Sequence, residues 1–129
     1  MLTEARSLCF VRYDEGDALE LNPYSILEPQ NTARKIAEDH LEVVIMPLVA
    51  FDLLGNRLGT GGGYYDRTFA FLCANPSKKP LMIGLAYMAQ QAENIPTDPW
   101  DIKLDGVLTE RGFINVSAFS PPLIIPGAL

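Results

Sequence analysis

A glycine-rich stretch at residues 57–67 carries the residue types best suited to binding an anion. It contains Arg-Leu-Gly-Thr-Gly-Gly-Gly-Tyr-Tyr-Asp-Arg. Glycine backbones adopt conformations closed to other residues, and without a Cβ several N–H groups can point at one anion. Arg57 and Arg67 flank the stretch and suit charge-assisted bonds to phosphate oxygens. The stretch therefore favours a phosphate site, and the alternative is a glycine turn with two surface arginines.

The stretch matches neither of the commonest nucleotide-binding motifs. It lacks the Lys-Ser/Thr ending of the P-loop, and Tyr64 stands where the dinucleotide pattern needs its third glycine. Chemistry alone therefore favours phosphate binding without identifying the ligand that carries the phosphate.

Two acidic positions suit a metal ion beside such a phosphate. Asp66 falls in the first turn of the expected helix, where it is either a magnesium ligand or a carboxylate that complements the helix dipole. A second acidic run, residues 98–106, contains Asp-Pro-Trp-Asp-Ile-Lys-Leu-Asp-Gly. If it is extended, Asp101, Lys103 and Asp105 share one face, which suits a metal carboxylate and a phosphate lysine. Ordinary half-buried strands alternate in the same way, and spacing alone favours that reading.

The elements expected around the glycine stretch form a βαβ unit. Residues 41–46, 81–87 and 106–109 predict three strands, and the apolar β-branched run of the first is typical of a strand buried on both faces. Residues 64–74 predict a helix, because their aromatic and aliphatic side chains recur at helical spacing. The order of strand, glycine loop, helix and strand predicts an α/β domain.

The ends of the chain are less regular. Residues 7–13 predict a strand and residues 19–21 a short return strand. Residues 32–40 predict a short helix. The stretch 113–129, with three prolines, predicts a loose C-terminal tail or a docking segment rather than part of the core.

Composition limits the classes of function. The chain has 129 residues, 48% of them hydrophobic, and a net charge of −6, which indicates one globular domain and no nucleic-acid partner. The longest apolar run, residues 43–51, is about half of a membrane span and contains Pro47. Cys9 and Cys73 lack zinc-ligand spacing, and the first residues carry no secretory signal pattern. We therefore expect buried, reduced thiols, no membrane partner and a cytoplasmic location.

Several segments taken together resemble one enzyme family. They are residues 41–47, Phe51-Asp52, residues 55–59, residues 61–67, residues 83–86 and residues 101–107, with Leu27-Glu28-Pro29 earlier in the chain. This set, spread over about residues 8–110, resembles the 5-formyltetrahydrofolate cyclo-ligase family, also called methenyltetrahydrofolate synthetase. The resemblance implies a three-layer α/β sandwich with a mostly parallel sheet. It also implies that residues 1–129 form a single, truncated domain lacking the family's N-terminal segment.

The resemblance further implies an activity and a set of site residues. The family uses ATP and magnesium to convert 5-formyltetrahydrofolate to 5,10-methenyltetrahydrofolate, with release of ADP and phosphate. The implied roles are ATP binding by Arg57, Gly59, Thr60, Gly61, Gly62, Gly63, Tyr64 and Tyr65, catalysis by Tyr65 and Arg67, magnesium binding by Asp66 and Asp101, and substrate binding by Tyr64 and Tyr65. Trp100 is either a further stacking surface for the substrate or a packing anchor.

Two alternatives stand beside a working enzyme. The resemblance implies that a chain without the family's N-terminal segment would lack phosphate-binding cations and one covering layer of its sheet. It is then either a catalytically inactive nucleotide-binding module or a fragment that self-associates through the uncovered sheet.

Overall fold

The computed structural model describes residues 7–30, 34–59, 61–74 and 80–116. Strands and helices are short in these ranges, and two 3-10 turns, Glu38–His40 and Met88–Gln90, join them. The strands are β1 Phe10–Val11, β2 Leu19–Leu21, β3 Leu27–Pro29, β4 Lys35–Ile36, β5 Val43–Pro47, β6 Ala50–Phe51, β7 Arg57–Leu58, β8 Leu81–Leu85, β9 Gly106–Thr109 and β10 Gly112–Asn115; the α-helices are α1 Tyr64–Thr68 and α2 Phe71–Ala74.

A four-stranded sheet in the order β10-β9-β8-β5 forms the framework. β8 pairs in parallel with both β5 and β9, whereas β10 returns antiparallel to β9. The crossover from β5 to β8 carries the β6–β7 hairpin, the glycine stretch and both helices, as parallel pairing requires a long connection. The expected parallel strands and crossover are confirmed, in a chain that has more strand than helix. The three-layer arrangement stays a prediction.

One face of this sheet carries the hydrophobic core. Val44 and Met46 of β5 and Met82 of β8 are buried, and residues from the hairpin, the helices and the acidic run join them. The buried cluster contains Val44, Met46, Phe51, Phe69, Leu72, Met82, Ile102, Leu104, Val107 and Val116.

The opposite face is open among the described residues, and we call it the open sheet face. It consists of the exposed side chains of Val43, Ile45, Leu81, Leu85, Leu108 and Phe113. The register supports this grouping, since Val43 pairs with Leu81, Leu85 with Leu108, and Leu108 with Phe113. The prediction that the first of these strands, β5, is buried on both faces is wrong among the described residues, because a continuous apolar run does not tell whether a second layer covers it.

The helix predicted over residues 64–74 is two shorter helices. α1 ends after Thr68, whose hydroxyl bonds to the carbonyl of Tyr64 at 2.6 Å and accepts the N–H of Leu8 at 2.6 Å. A hydroxyl bonded to the carbonyl four residues earlier bends a helix. Phe69 follows in a non-helical conformation and is fully buried, with its ring 5.6 Å from that of Phe10. Tertiary packing of Phe69 therefore overrides the helical pattern.

Three predictions near the ends are corrected. Residues 34–40 form β4 and a 3-10 turn rather than a helix, because Ile36 pairs with Phe10 across β1 and β4. The short strand β2 is confirmed, but it pairs with β3 and not with β1. The tail cannot begin at Phe113, since Phe113 lies in β10. The rest of the predicted tail, residues 117–129, and residues 31–33 lie outside the described residues.

Two further expectations concern the cysteines and a membrane span. Both cysteines are free, but Cys73 is exposed and Cys9 only partly buried, so the expectation of two buried thiols is wrong. No helix within the described ranges has the length and apolarity that crossing a membrane demands. A cytoplasmic location stays a prediction.

Candidate functional site

The turn of the β6–β7 hairpin is built around a buried carboxylate, Asp52. Its Oδ1 accepts the N–H groups of Leu54 and Asn56 at 3.0 Å each, and its Oδ2 accepts the Asn56 side-chain amide at 2.9 Å and the Ile95 N–H at 3.1 Å. Burial by itself would raise the pKa of Asp52, but these hydrogen bonds outweigh it and lower the pKa. Asp52 is therefore an ionised centre that holds the hairpin.

Gly55 brings this turn against the acidic run. It has φ 88°, and a Cβ there would lie 2.7 Å from the carbonyl oxygen of Leu104 and 3.0 Å from that of Val116. The carbonyl of Gly55 in turn accepts the Leu104 N–H at 2.7 Å. Only glycine fits this approach. Sequence reasoning assigned no role to Asp52 or Gly55, although an aspartate three residues before a glycine is a recognisable turn signal.

The β6–β7 hairpin positions Arg57 next to the glycine stretch. Its side chain is only 8% exposed, and its Nη2 donates to Asp66 Oδ1 at 3.2 Å. The guanidinium lies 5.6 Å from the ring centroid of Tyr65, and its Nη1 takes the space that a Cβ on Gly59 would need. The buried Nε has no acceptor among the described residues. Buried donors without partners are rare, so this nitrogen marks a place suited to an anionic oxygen.

The described glycines and Arg67 form a compact loop. Gly61 has φ 98° and Gly63 has φ 70°, and Gly63 directly precedes α1. Arg67 reaches back, donates from Nη2 to the carbonyl of Gly62, and lies 5.7 Å from the ring centroid of Tyr64. Because α1 has only five residues, the predicted anion binding would depend on the backbone amides and Arg57 more than on a helix dipole. Thr60 lies outside the described residues.

The two predicted magnesium ligands lie on linked segments. Asp66 Oδ1 accepts the Ile102 N–H at 3.0 Å as well as Arg57. The neighbouring Asp101 accepts the Asp98 N–H at 2.8 Å on Oδ2. In the described chain the remaining oxygen of each carboxylate has no hydrogen bond, but no group of three acidic, His or Cys side chains there could hold a metal ion. Magnesium at this place would need phosphate and water oxygens, which it usually takes.

The acidic run alternates as its pattern predicts. Ile102 and Leu104 are buried, whereas Lys103 is exposed. The ammonium of Lys103 donates to Asn56 Oδ1. Asp105 accepts the Met82 N–H at 2.7 Å; burial raises its pKa, and this hydrogen bond acts in the opposite direction. A groove of about 600 Å³ lies along this run, and its charged lining consists of Asp98, Asp101, Lys103 and Asp105.

The three predicted aromatic contacts differ in their surroundings. The hydroxyl of Tyr64 lies 3.4 Å from that of Tyr24, which follows β2. Tyr65 packs against the core; burial raises its pKa, and the charge of Arg57 acts in the opposite direction. Trp100 is 63% exposed and its carbonyl accepts the Cys73 thiol at 3.8 Å, so the packing-anchor interpretation is wrong. The substrate-binding roles of these three residues stay predictions.

Comparison with known proteins supplies independent information. A model described as the 5-formyltetrahydrofolate cyclo-ligase family matches residues 2–110. The chain is 43% identical over 102 residues to 5-formyltetrahydrofolate cyclo-ligase of Haemophilus influenzae, covering 78% of this chain and 53% of that protein. It is 41% identical over 106 residues to that of Escherichia coli K12, covering 81% and 57%. The chain thus spans about half the length of the curated relatives it matches.

Solved structures show the same likeness. The 5,10-methenyltetrahydrofolate synthetase of Aquifex aeolicus superposes with a TM-score of 0.70 at 33% identity, covering 88% of this chain and 55% of that one. The synthetase of Mycoplasma pneumoniae gives a TM-score of 0.51 at 28% identity, covering 77% and 54%.

Proposed function

Because the chain belongs to the 5-formyltetrahydrofolate cyclo-ligase family, we propose that it binds ATP at the glycine stretch and converts 5-formyltetrahydrofolate to 5,10-methenyltetrahydrofolate. The observation that carries this proposal is Arg57. Its buried guanidinium is anchored at one end by Asp66, lies against Gly59 and leaves Nε without an acceptor in the described chain.

The proposed reaction needs phosphate positioning more than covalent help from the protein. The γ-phosphoryl group of ATP moves to the formyl oxygen of the folate, which leaves ADP. The neighbouring amine nitrogen then attacks the formyl carbon and loses its proton, and the C–O bond breaks with release of phosphate, which leaves the methenyl bridge. Positioning and charge neutralisation dominate such a transfer.

Each protein group has a task in this scheme. Arg57 and the glycine amides bind the phosphates, joined by the Thr60 segment, while Arg67 and Tyr65 stabilise charge at the transferred group. Asp66 and Asp101 would hold magnesium through their remaining oxygens, and the ion, when bound, neutralises phosphate charge. The proposed folate-contacting surfaces are the rings of Tyr64, Tyr65 and Trp100.

Turnover tests the proposal directly. Methenyltetrahydrofolate absorbs in the near ultraviolet, so its formation can be followed with ATP and magnesium supplied or withheld. Arg57→Ala removes a charge-assisted phosphate contact worth about 1.5–3 kcal/mol, so we expect activity to fall roughly 10- to 150-fold. The matched control is Arg12→Ala, an exposed arginine paired with Asp14. Wild-type protein that neither binds Mg-ATP nor forms product would remove the proposal.

A second candidate is nucleotide binding without turnover. It is favoured because the observations on Arg57 and Gly59 concern phosphate binding and not the folate. Titration with Mg-ATP by calorimetry separates the candidates. Binding that is lost in Arg57→Ala, together with no ATP-dependent absorbance change, supports the second and contradicts the first.

We also propose that two copies associate through the open sheet face. Its six large side chains, among them Ile45 at 56% and Leu85 at 54% exposure, include no charged residue. They expose on the order of 600 Å², the upper range for the largest apolar patch of a monomer. Two such faces would together bury on the order of 1,200 Å², the lower limit of a standard interface. Parallel strands also rarely leave one face in water.

Sedimentation over a range of concentrations tests this association. We expect a dimer that Ile45→Lys or Leu85→Lys converts to monomer, because each substitution places a charge in the apolar contact. Leu54→Lys is the matched control, since Leu54 is 64% exposed in the β6–β7 turn, outside the face. A wild-type monomer at every concentration, or polydisperse aggregates, would contradict the proposal.

A further inference from the structure

Three links join the segment 55–57 to the segment 102–104. The Leu104 N–H donates to the carbonyl of Gly55 at 2.7 Å, and the ammonium of Lys103 donates to Asn56 Oδ1. Asp66 completes the set by accepting both Arg57 and the Ile102 N–H. Lys103 and Arg57 therefore lie on neighbouring segments, and these hydrogen bonds fix the position of one segment against the other.

Asp52 decides which way the Asn56 side chain points. Asn56 donates its side-chain N–H to Asp52 Oδ2, so its amide oxygen must face the other way, where Lys103 binds it. Both residues are buried, and Asp52 is saturated by four donors, which leaves no alternative orientation that keeps these bonds. The buried carboxylate of Asp52 therefore orients the Asn56 amide, and the amide oxygen in turn positions the ammonium of the exposed Lys103.

The lysine held in this way keeps donors to spare. An ammonium has three N–H groups, and Asn56 takes one of them. Lys103 also lines the groove along the acidic run, where the carboxylates of Asp98, Asp101 and Asp105 oppose a bare anion. A phosphate that arrives with a divalent cation suits both signs of charge, because its oxygens bind the ammonium while the cation meets the carboxylates.

We propose that Lys103 is a second phosphate-binding cation of the nucleotide site, specific for the magnesium complex of a nucleoside triphosphate, and that Asp52, acting through Asn56, is its positioning residue. This inference rests on the proposed function. If the Lys103–Asn56 bond were only structural, Asn56 would not act on nucleotide affinity by way of Lys103. The inference requires that removing Asn56 weakens nucleotide binding only while Lys103 is present.

Calorimetric titration of the wild type and four variants with Mg-ATP tests the inference. We expect Lys103→Met to raise the Kd about 10-fold, as the loss of one charge-assisted phosphate bond does. Asn56→Ala is expected to raise it about threefold, because Lys103 loses its anchor but not its charge. The double variant should bind no more weakly than Lys103→Met alone. Lys35→Met is the matched control, an exposed lysine in β4.

Asp52→Asn extends the test where that variant folds. It should weaken Mg-ATP binding in the wild-type background and have no effect in the Lys103→Met background. Circular dichroism checks the fold of every variant, and Lys103→Met replaces an exposed side chain, so it keeps the test decisive if Asp52→Asn does not fold.

The outcomes separate the two proposals. Wild-type protein that does not bind Mg-ATP overturns both the proposed function and this inference. Wild-type protein that binds, with Lys103→Met within twofold of it, overturns the inference alone. Full additivity of Asn56→Ala and Lys103→Met overturns the positioning role.

Discussion

Replacing Asp52 by asparagine probes the centre of the hairpin with almost no change in side-chain shape. Each carboxylate oxygen accepts two N–H donors, from Leu54 and Asn56 on one side and from Asn56 and Ile95 on the other. Either orientation of the new amide turns an NH₂ group toward two donors. Two hydrogen bonds to a buried group are lost, at about 1–2 kcal/mol each, so we expect the free energy of unfolding to fall by about 2–4 kcal/mol.

Urea unfolding at neutral pH measures this loss, and Asp39→Asn in the exposed 3-10 turn is the matched control, expected within about 0.5 kcal/mol of wild type. The pH dependence gives a second check. Because the pKa of Asp52 is lowered in the fold, its stabilisation is complete above the unfolded pKa of about 3.9 and is lost as pH falls toward the folded pKa. The difference in the free energy of unfolding between wild type and Asp52→Asn should therefore become smaller as pH falls below the unfolded pKa. A loss below about 1 kcal/mol, or a gap constant with pH, would refute the reasoning.

Three further substitutions test the packing and the electrostatics. Gly55→Ala should cost about 2–4 kcal/mol, because left-handed backbone strain adds to a clash with two carbonyl oxygens; Gly16→Ala, with φ 89° and open space around it, should cost only about 1 kcal/mol, and equal losses would contradict the close approach. Phe69→Ala should cost about 3–5 kcal/mol in urea unfolding, and a loss under about 1 kcal/mol would contradict its place in the core. Burial raises the pKa of Asp105, so its protonated form suits the fold and stability is lost as pH rises through the folded pKa. Asp105→Asn should therefore gain stability relative to wild type between pH 3 and pH 7, and an unchanged difference would contradict this.

The glycine stretch shows why part of the candidate site can be predicted from the amino-acid sequence. Left-handed backbone at Gly61 and Gly63 is a local property of glycine, and the arginines on either side lie within ten residues. The contact of Arg57 with Asp66 spans nine residues, and the sequence pattern contains no indication of it. Both groups were predicted to face a ligand, and the structure shows that they bind each other.

The helix at residues 64–74 shows the opposite case. Its spacing correctly marks Phe69 and Leu72 as buried, because periodic apolar residues report burial well. The spacing does not show that the helix is broken after Thr68, where the Thr68 hydroxyl bonds to both Tyr64 and the distant Leu8. A bond across sixty residues leaves no mark in a local window.

The amino-acid sequence by itself determined the parallel strands with their crossover, the alternation of residues 101–105 and the family; anion binding by the glycine stretch stays a prediction. All of these follow from neighbours in the chain or from whole motifs. Only the tertiary structure decided that Asp52 is saturated by donors from two segments, its own hairpin turn and Ile95. It also decided that Lys103 binds Asn56 at a separation of 47 residues, and that one apolar sheet face is open among the described residues. Such facts depend on which distant segments pack together, and an apolar or charged residue has the same local signature whether its partner lies in the same domain, in another chain or in solvent.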